Sequence, residues 1–158
     1  MELPEKIESA LVAYLQAQIT AFLAPEVIFD PATQIHAGET DQDIDRQIIA
    51  CVCDDAESEY PLGSGNFWFP INIILITPVG LLSESEVGAV TPLELHRSLA
   101  GLLADAIMRD DLVAQLTAAA ADFTCLGLLD RRPQRAQDNS LYLSGFTFRL
   151  YAASMAMV

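Results

Sequence analysis

Three acidic residues at alternate positions, Asp41-x-Asp43-x-Asp45, are the first place where this sequence could do chemistry. Carboxylates two residues apart can converge on a hard cation, and this spacing opens a calcium loop. The rest of the loop does not follow: the sixth position, which needs glycine, is Arg46, and the twelfth, which needs glutamate, is Val52. The stretch therefore reads as a solvated acidic loop. Cys51-x-Cys53 puts two thiols on one face of a strand, which suits a metal only if two more soft ligands approach, and His36, His96 and Cys125 are the candidates. None has a second ligand at metal spacing, so the cysteines read as small buried hydrophobes. Gly63-Ser64-Gly65 lacks the Gly-x-Ser-x-Gly frame of a nucleophile elbow and runs into a strand, not a helix. His36 and His96 each lack the partner that would make a base. No phosphate-cradling glycine loop, paired-histidine zinc helix or dinucleotide fingerprint is present. Arg131, Arg132 and Arg135 form the only basic cluster and are the expected contact with a partner, through an acidic surface or a phosphate. The residues thus name no catalytic group, no metal ligand set and no cofactor.

Charge and composition narrow the class. A chain of 158 residues has room for one domain, expected to span residues 1–158, and 52% hydrophobic against 19% charged residues is a core-forming composition. The 22 acidic residues outnumber the 8 basic ones for a net charge of −14, which works against gripping nucleic acid by its phosphates. The charge is uneven: residues 1–111 hold 19 acidic and 4 basic side chains, residues 112–158 only 3 and 4. That asymmetry suits a chain that meets partners directionally or repels a polyanion from one surface. Three cysteines without disulfide spacing and no N-terminal signal segment lead us to expect a reducing compartment. Residues 7–23 are broken by Glu8, Gln16, Gln18 and Thr20, so no membrane span is expected.

The elements that would position these residues follow from periodicity. Over residues 4–24, Ile7, Leu11, Tyr14, Leu15, Ile19 and Phe22 recur at helical steps, and Ala24-Pro25 ends the helix. Val27, Ile28 and Phe29 make a short strand candidate, and residues 32–45 read as loop. QIIACVC at residues 47–53 and FWFPINIILIT at residues 67–77 are strands of a hairpin with a long connection. Pro70 has no N–H to donate, so full pairing either starts after it or leaves it facing an open side. After a loop over residues 78–90, Thr91-Pro92-Leu93-Glu94 is a capping box opening a second helix whose stripe is Leu95, Leu99, Leu102, Leu103, Ala106 and Ile107. A break at Arg109-Asp110-Asp111 precedes a shorter segment with Leu112, Val113 and Leu116. Residues 123–129 and 140–153 read as a second hairpin around a polar tip, residues 130–139, that carries the three arginines. The order is helix, short strand, hairpin, helix, hairpin: an α+β domain whose antiparallel or mixed sheet carries two main helices.

Both faces of the strands are apolar. Phe67, Phe69, Ile71, Ile73 and Leu75 alternate with Trp68, Ile74 and Ile76, and Tyr142, Phe146, Phe148 and Leu150 with Leu141, Leu143 and Tyr151. Either the helices divide between the two faces, or another subunit covers one of them.

The whole order, with the passage LDRRPQRAQDNSLYLSGFTFRLY at residues 129–151, resembles the tail terminator proteins of long-tailed bacteriophages. The resemblance implies a structural virion protein with no enzymatic activity and no catalytic residues to carry over. It implies a homo-oligomeric ring, typically a hexamer, at the head-tail junction. Such a ring sits on the last ring of the tail-tube protein, halts tube polymerisation and presents a surface to the head-completion or connector protein. It would assemble in the host cytoplasm, and DNA would pass through it without specific binding. Asp41, Asp43, Asp45, Glu57 and Glu59 are then expected on the channel or rim, where carboxylates disfavour phosphate adhesion. The loops around residues 36–46 and 78–90 are longer than the family's pattern. A head-side neck protein, stopper or adaptor, is the alternative, and a small metal- or ligand-binding α+β protein is the alternative from another class.

Overall fold

A computed structural model describes residues 3–22, 29–38, 46–54, 66–79, 91–119, 123–137 and 141–154. The chain runs through α1 (Leu3–Phe22), α2 (Pro31–Gln34), β1 (Ile35–Ala37), β2 (Ile48–Cys53), β3 (Asn66–Pro78), α3 (Pro92–Ile107), α4 (Leu112–Ala119), β4 (Phe123–Gln137) and β5 (Leu141–Ser154). The strands form one mixed sheet in the order β1-β2-β3-β5-β4, with β1 parallel to β2 and the other pairs antiparallel. This is the α+β architecture expected from the sequence.

The described helices α1, α3 and α4 do not divide between the faces of the sheet. Ile7, Leu11, Leu15 and Ile19 of α1, Leu99, Leu103 and Ile107 of α3, and Leu112 and Leu116 of α4 share one core. That core also takes Ile49 and Cys51 of β2, Phe69, Ile71, Ile73 and Leu75 of β3, and Phe146, Phe148 and Leu150 of β5. Register explains the selection: Phe69 lies opposite Leu150, Ile71 opposite Phe148 and Ile73 opposite Phe146, so these residues stand on the same face. The alternate residues of β3 and β5 form the face turned away from the helices.

Local chemistry sets the helix boundaries. Thr91 Oγ1 accepts from the Glu94 N–H at 3.2 Å while Glu94 Oε2 accepts from the Thr91 N–H at 3.4 Å, the reciprocal cap the sequence announces. At the other end of α3, the buried Tyr14 hydroxyl donates to the Ala106 carbonyl at 2.6 Å, tying α1 to the helix terminus. Arg109 then grips Asp111 in a bidentate pair at 2.8 and 3.0 Å and donates to Gln18 Oε1 at 3.0 Å, holding the α3–α4 turn against α1. The Arg109 and Gln115 hydrogen bonds hold the Asp111 carboxyl down at about 2, well below its ordinary value.

Several sequence expectations need correction. Residues 32–45 are not all loop: Asp30 caps α2, accepting from the Ala32 N–H at 3.1 Å, and Ile35–Ala37 is a strand. The signal was present, because Asp30-Pro31 repeats the cap-then-proline start of Thr91-Pro92. Phe29 is buried but belongs to no strand; Val27 and Ile28 lie outside the described residues. Gly38 leaves β1 with φ 81°, a left-handed conformation that favours glycine, and its N–H donates to the Cys51 carbonyl at 2.8 Å. Pairing of β3 with β2 starts after Pro70, at Ile71 opposite Cys53: the Pro70 carbonyl still accepts from the Asp54 N–H at 3.0 Å, and the position without an N–H lies on that same side, while Pro70 pairs with Arg149 on the β5 side. Finally, residues 130–137 are strand and not hairpin tip, pairing with β5 as far as Gln137 opposite Tyr142. Polar residues and Pro133 are tolerated there because β4 is an edge strand, with one side unpaired in the sheet.

Candidate functional site

The three arginines expected to act together are separated by the strand that carries them. Register shifts between Cys125 and Gly127 and between Leu129 and Arg132 break the simple alternation of β4 and re-aim its side chains. Arg131 turns inward, its Nη1 donating to the Ile107 carbonyl at 3.0 Å and the Arg109 carbonyl at 2.9 Å. It closes the C-terminus of α3, where carbonyls lack helical partners and a cation is favoured. Arg131 Nη1 is thus engaged within the chain. Arg132 lies opposite Thr147 on the face away from the helices, and exposed Arg135 lies opposite Ser144 on the helix side.

Arg135 borders an open groove of about 590 Å³ between α3 and the β4–β5 hairpin. Leu93, Arg97, Ala100 and Ala104 line it from α3, and Tyr142 and Leu143 from β5. Among the described residues neither the Arg97 nor the Arg135 side chain makes a hydrogen bond or ion pair. Sequence reading passed over Arg97; the signal was a second helix face of small residues, Ala100, Gly101 and Ala104, at helical steps from Leu93 and Arg97.

Below this groove runs a chain of buried polar side chains. Gln34, Gln47, Thr77 and His96 are all less than a tenth exposed. Gln34 Oε1 accepts from the Asp30 N–H at 2.8 Å and its Nε2 donates to the Gln47 carbonyl at 2.8 Å; Gln47 Nε2 donates to Thr77 Oγ1 at 3.1 Å. Thr77 Oγ1 lies 2.7 Å from His96 Nδ1, and His96 Nε2 lies 2.8 Å from Ser144 Oγ. The arrangement fits neutral His96, with the Thr77 hydroxyl donating to Nδ1 and the Nε2–H donating to Ser144. Burial, then the charge of Arg135, push the His96 pKa below its ordinary value. Through its two ring nitrogens this histidine links α3 to β3 and β5, and the chain continues through Gln47 to α2.

On the face away from the helices, Trp68 and Tyr151 stack at 4.7 Å between ring centroids, and the Arg149 guanidinium lies 5.7 Å from the Trp68 ring centre. Pro70, Asn72, Arg132, Thr147 and Arg149 line a shallow depression of about 330 Å³ beside this cluster. Ile74 remains 37% exposed, and Ile76 and Leu143 are half-buried. An aromatic and aliphatic strip rimmed by two arginines is suited to binding a surface, since it supplies apolar area and cations without a nucleophile or a base.

Cys51 and Cys53 are buried free thiols on the helix side of β2. Burial, reinforced by the Glu8 carboxylate, pushes the Cys51 thiol far up, out of the reactive range. Glu8 Oε2 instead accepts from the Cys53 N–H at 2.8 Å. His36 is exposed on β1. Among the described residues no three His, Cys, Asp or Glu side chains converge on a metal position, and no helix is long and apolar enough to cross a membrane. Asp41, Asp43, Asp45, Glu57, Glu59 and Gly63-Ser64-Gly65 lie outside the described residues, as does the side chain of Cys125. No family model and no curated protein matches the chain.

Proposed function

We propose that this protein is a structural component of a bacteriophage head-tail junction, a ring of identical subunits that caps the tail tube, stops its polymerisation and joins it to the head connector. The observation that carries the reading is the sheet face that the described helices leave uncovered, with Trp68, Ile74, Leu143 and Tyr151 partly exposed on it. Apolar strips of this kind mark surfaces that meet other proteins. A heterologous contact that closes by rotation buries such a strip in every copy. The net charge of −14 supports the same role, because a channel that DNA traverses must not hold phosphate. In the ring, Asp41, Asp43, Asp45, Glu57 and Glu59 face the channel or its rim, and the reading assigns the protein no catalytic step.

Electron imaging of the purified protein, alone and mixed with tail-tube protein from the same genome, tests this. Rings seated on tube ends uphold the terminator role. Rings that ignore the tube shift the assignment to a head-side neck protein. A chain that stays monomeric in both samples overturns the structural role.

A further inference from the structure

The groove between α3 and the β4–β5 hairpin has a cationic mouth and a partly apolar wall. Arg97 stands on the helix side and Arg135 on the strand side, and Leu93, Ala104 and Tyr142 also line the groove. A guanidinium matches a carboxylate in a planar, two-pronged geometry, and one left unpaired in a chain with 22 acidic residues is an open position for a carboxylate. A polyanion such as DNA is a poor occupant, since the whole molecule repels it.

We propose that this groove is the receiving half of a contact between copies of the chain and takes the acidic segment 39–45 of a second copy. The inference rests on the ring reading and adds which two surfaces meet. The segment reads ETDQDID, four carboxylates around one aliphatic residue, Ile44, so it offers charge to the two arginines and a side chain to the apolar wall. It follows Gly38 at the end of β1, and β1 and β4 are the two opposite edges of the sheet, about 19 Å apart at four strand spacings. A head-to-tail ring joins two different surfaces of the chain, and the proposal pairs the β1 edge of one copy with the β4 edge of the next. The chain leaving β1 of one copy therefore approaches the groove beside β4 of its neighbour. This puts Asp41, Asp43 and Asp45 at the rim between copies.

Charge exchange tests the pairing. One variant carries Arg97→Glu and Arg135→Glu, the other Asp41→Arg and Asp43→Arg, with circular dichroism melts confirming that both fold. Native mass spectrometry and imaging should find rings in the wild type and none in either variant alone, since each then opposes like charges. An equimolar mixture should restore rings in which the two variants alternate, because both kinds of contact become attractive again. Rings in the groove variant alone, or no rings in the mixture, overturn the proposal. If the wild type itself forms no ring, the ring reading falls and a fluorescent peptide of residues 38–45 decides the groove separately. Saturable binding weakened at least about tenfold by the groove substitutions upholds it, and no binding overturns it.

Discussion

Replacing Thr77 with valine should cost far more than the loss of one hydroxyl at unchanged size suggests. Thr77 is fully buried and is the link of the polar chain that accepts from Gln47 Nε2 at 3.1 Å and reaches His96 Nδ1 at 2.7 Å. Valine removes both interactions at once. Gln47 is then left with an amide proton, and His96 with a ring nitrogen, in surroundings where neither meets water: the two residues are 2% and 4% exposed. Each orphaned buried group costs about 1–3 kcal/mol, so the substitution should destabilise by about 2–6 kcal/mol, against a usual total of about 5–15 kcal/mol. Urea unfolding followed by circular dichroism measures this directly, with a lower midpoint at unchanged slope. Adding His96→Phe to Thr77→Val should recover part of the loss, because one orphan disappears with its partner. A Thr77→Val variant within about 0.5 kcal/mol of the wild type refutes the reasoning, since that is the range of an uninvolved surface position.

Three further outcomes follow from the same geometry. The neutral, buried state of His96 makes stability depend on pH: its folded pKa is lowered, so the unfolded chain takes up the proton first. Its contribution is complete above the ordinary value of 6.5 and falls as pH drops through 6.5 toward the lowered folded value; Tyr142 and Arg135 are the ionisable groups beside the ring. Denaturation midpoints across this window should rise with pH in the wild type and lose that component in His96→Gln. Gly145 and Gly101 should respond oppositely to alanine. A β-carbon on Gly145 collides with the Ile73 carbonyl of the neighbouring strand, so Gly145→Ala should cost at least about 3 kcal/mol or prevent soluble expression, whereas Gly101 lies on an exposed helix face with open space and Gly101→Ala should stabilise by about 1 kcal/mol. Arg131→Ala removes a donor from the Ile107 and Arg109 carbonyls and should cost about 1–3 kcal/mol in thermal or urea unfolding, while Arg132→Ala, whose exposed side chain closes no helix end, should cost less than about 1 kcal/mol.

Helices α1, α3 and α4, the β2–β3 hairpin and the cap at Thr91 were legible in the residues because their signals are local. Helical spacing, β-branched alternation and a capping box act within a few positions of the chain. The same locality misplaced the arginines. Asp130-Arg131-Arg132-Pro133 has the composition of a turn, and only the position of β4 at the edge of the sheet makes a polar, proline-containing strand acceptable there. Likewise no sequence spacing announced that Gln34, Gln47, Thr77, His96 and Ser144 join in one hydrogen-bonded chain, because they come from five separate stretches of the sequence. Nor could apolar alternation on both faces of β3 reveal which face the helices take. The sequence by itself determined the elements, their order, the acidic charge and the lack of any recognisable catalytic motif. The tertiary structure alone decided that the helices share one face, that Arg131 closes α3 while Arg97 and Arg135 meet across a groove, and that Trp68 and Tyr151 form a strip on the other side. Those are consequences of strand order and register, which bring together side chains far apart in the chain.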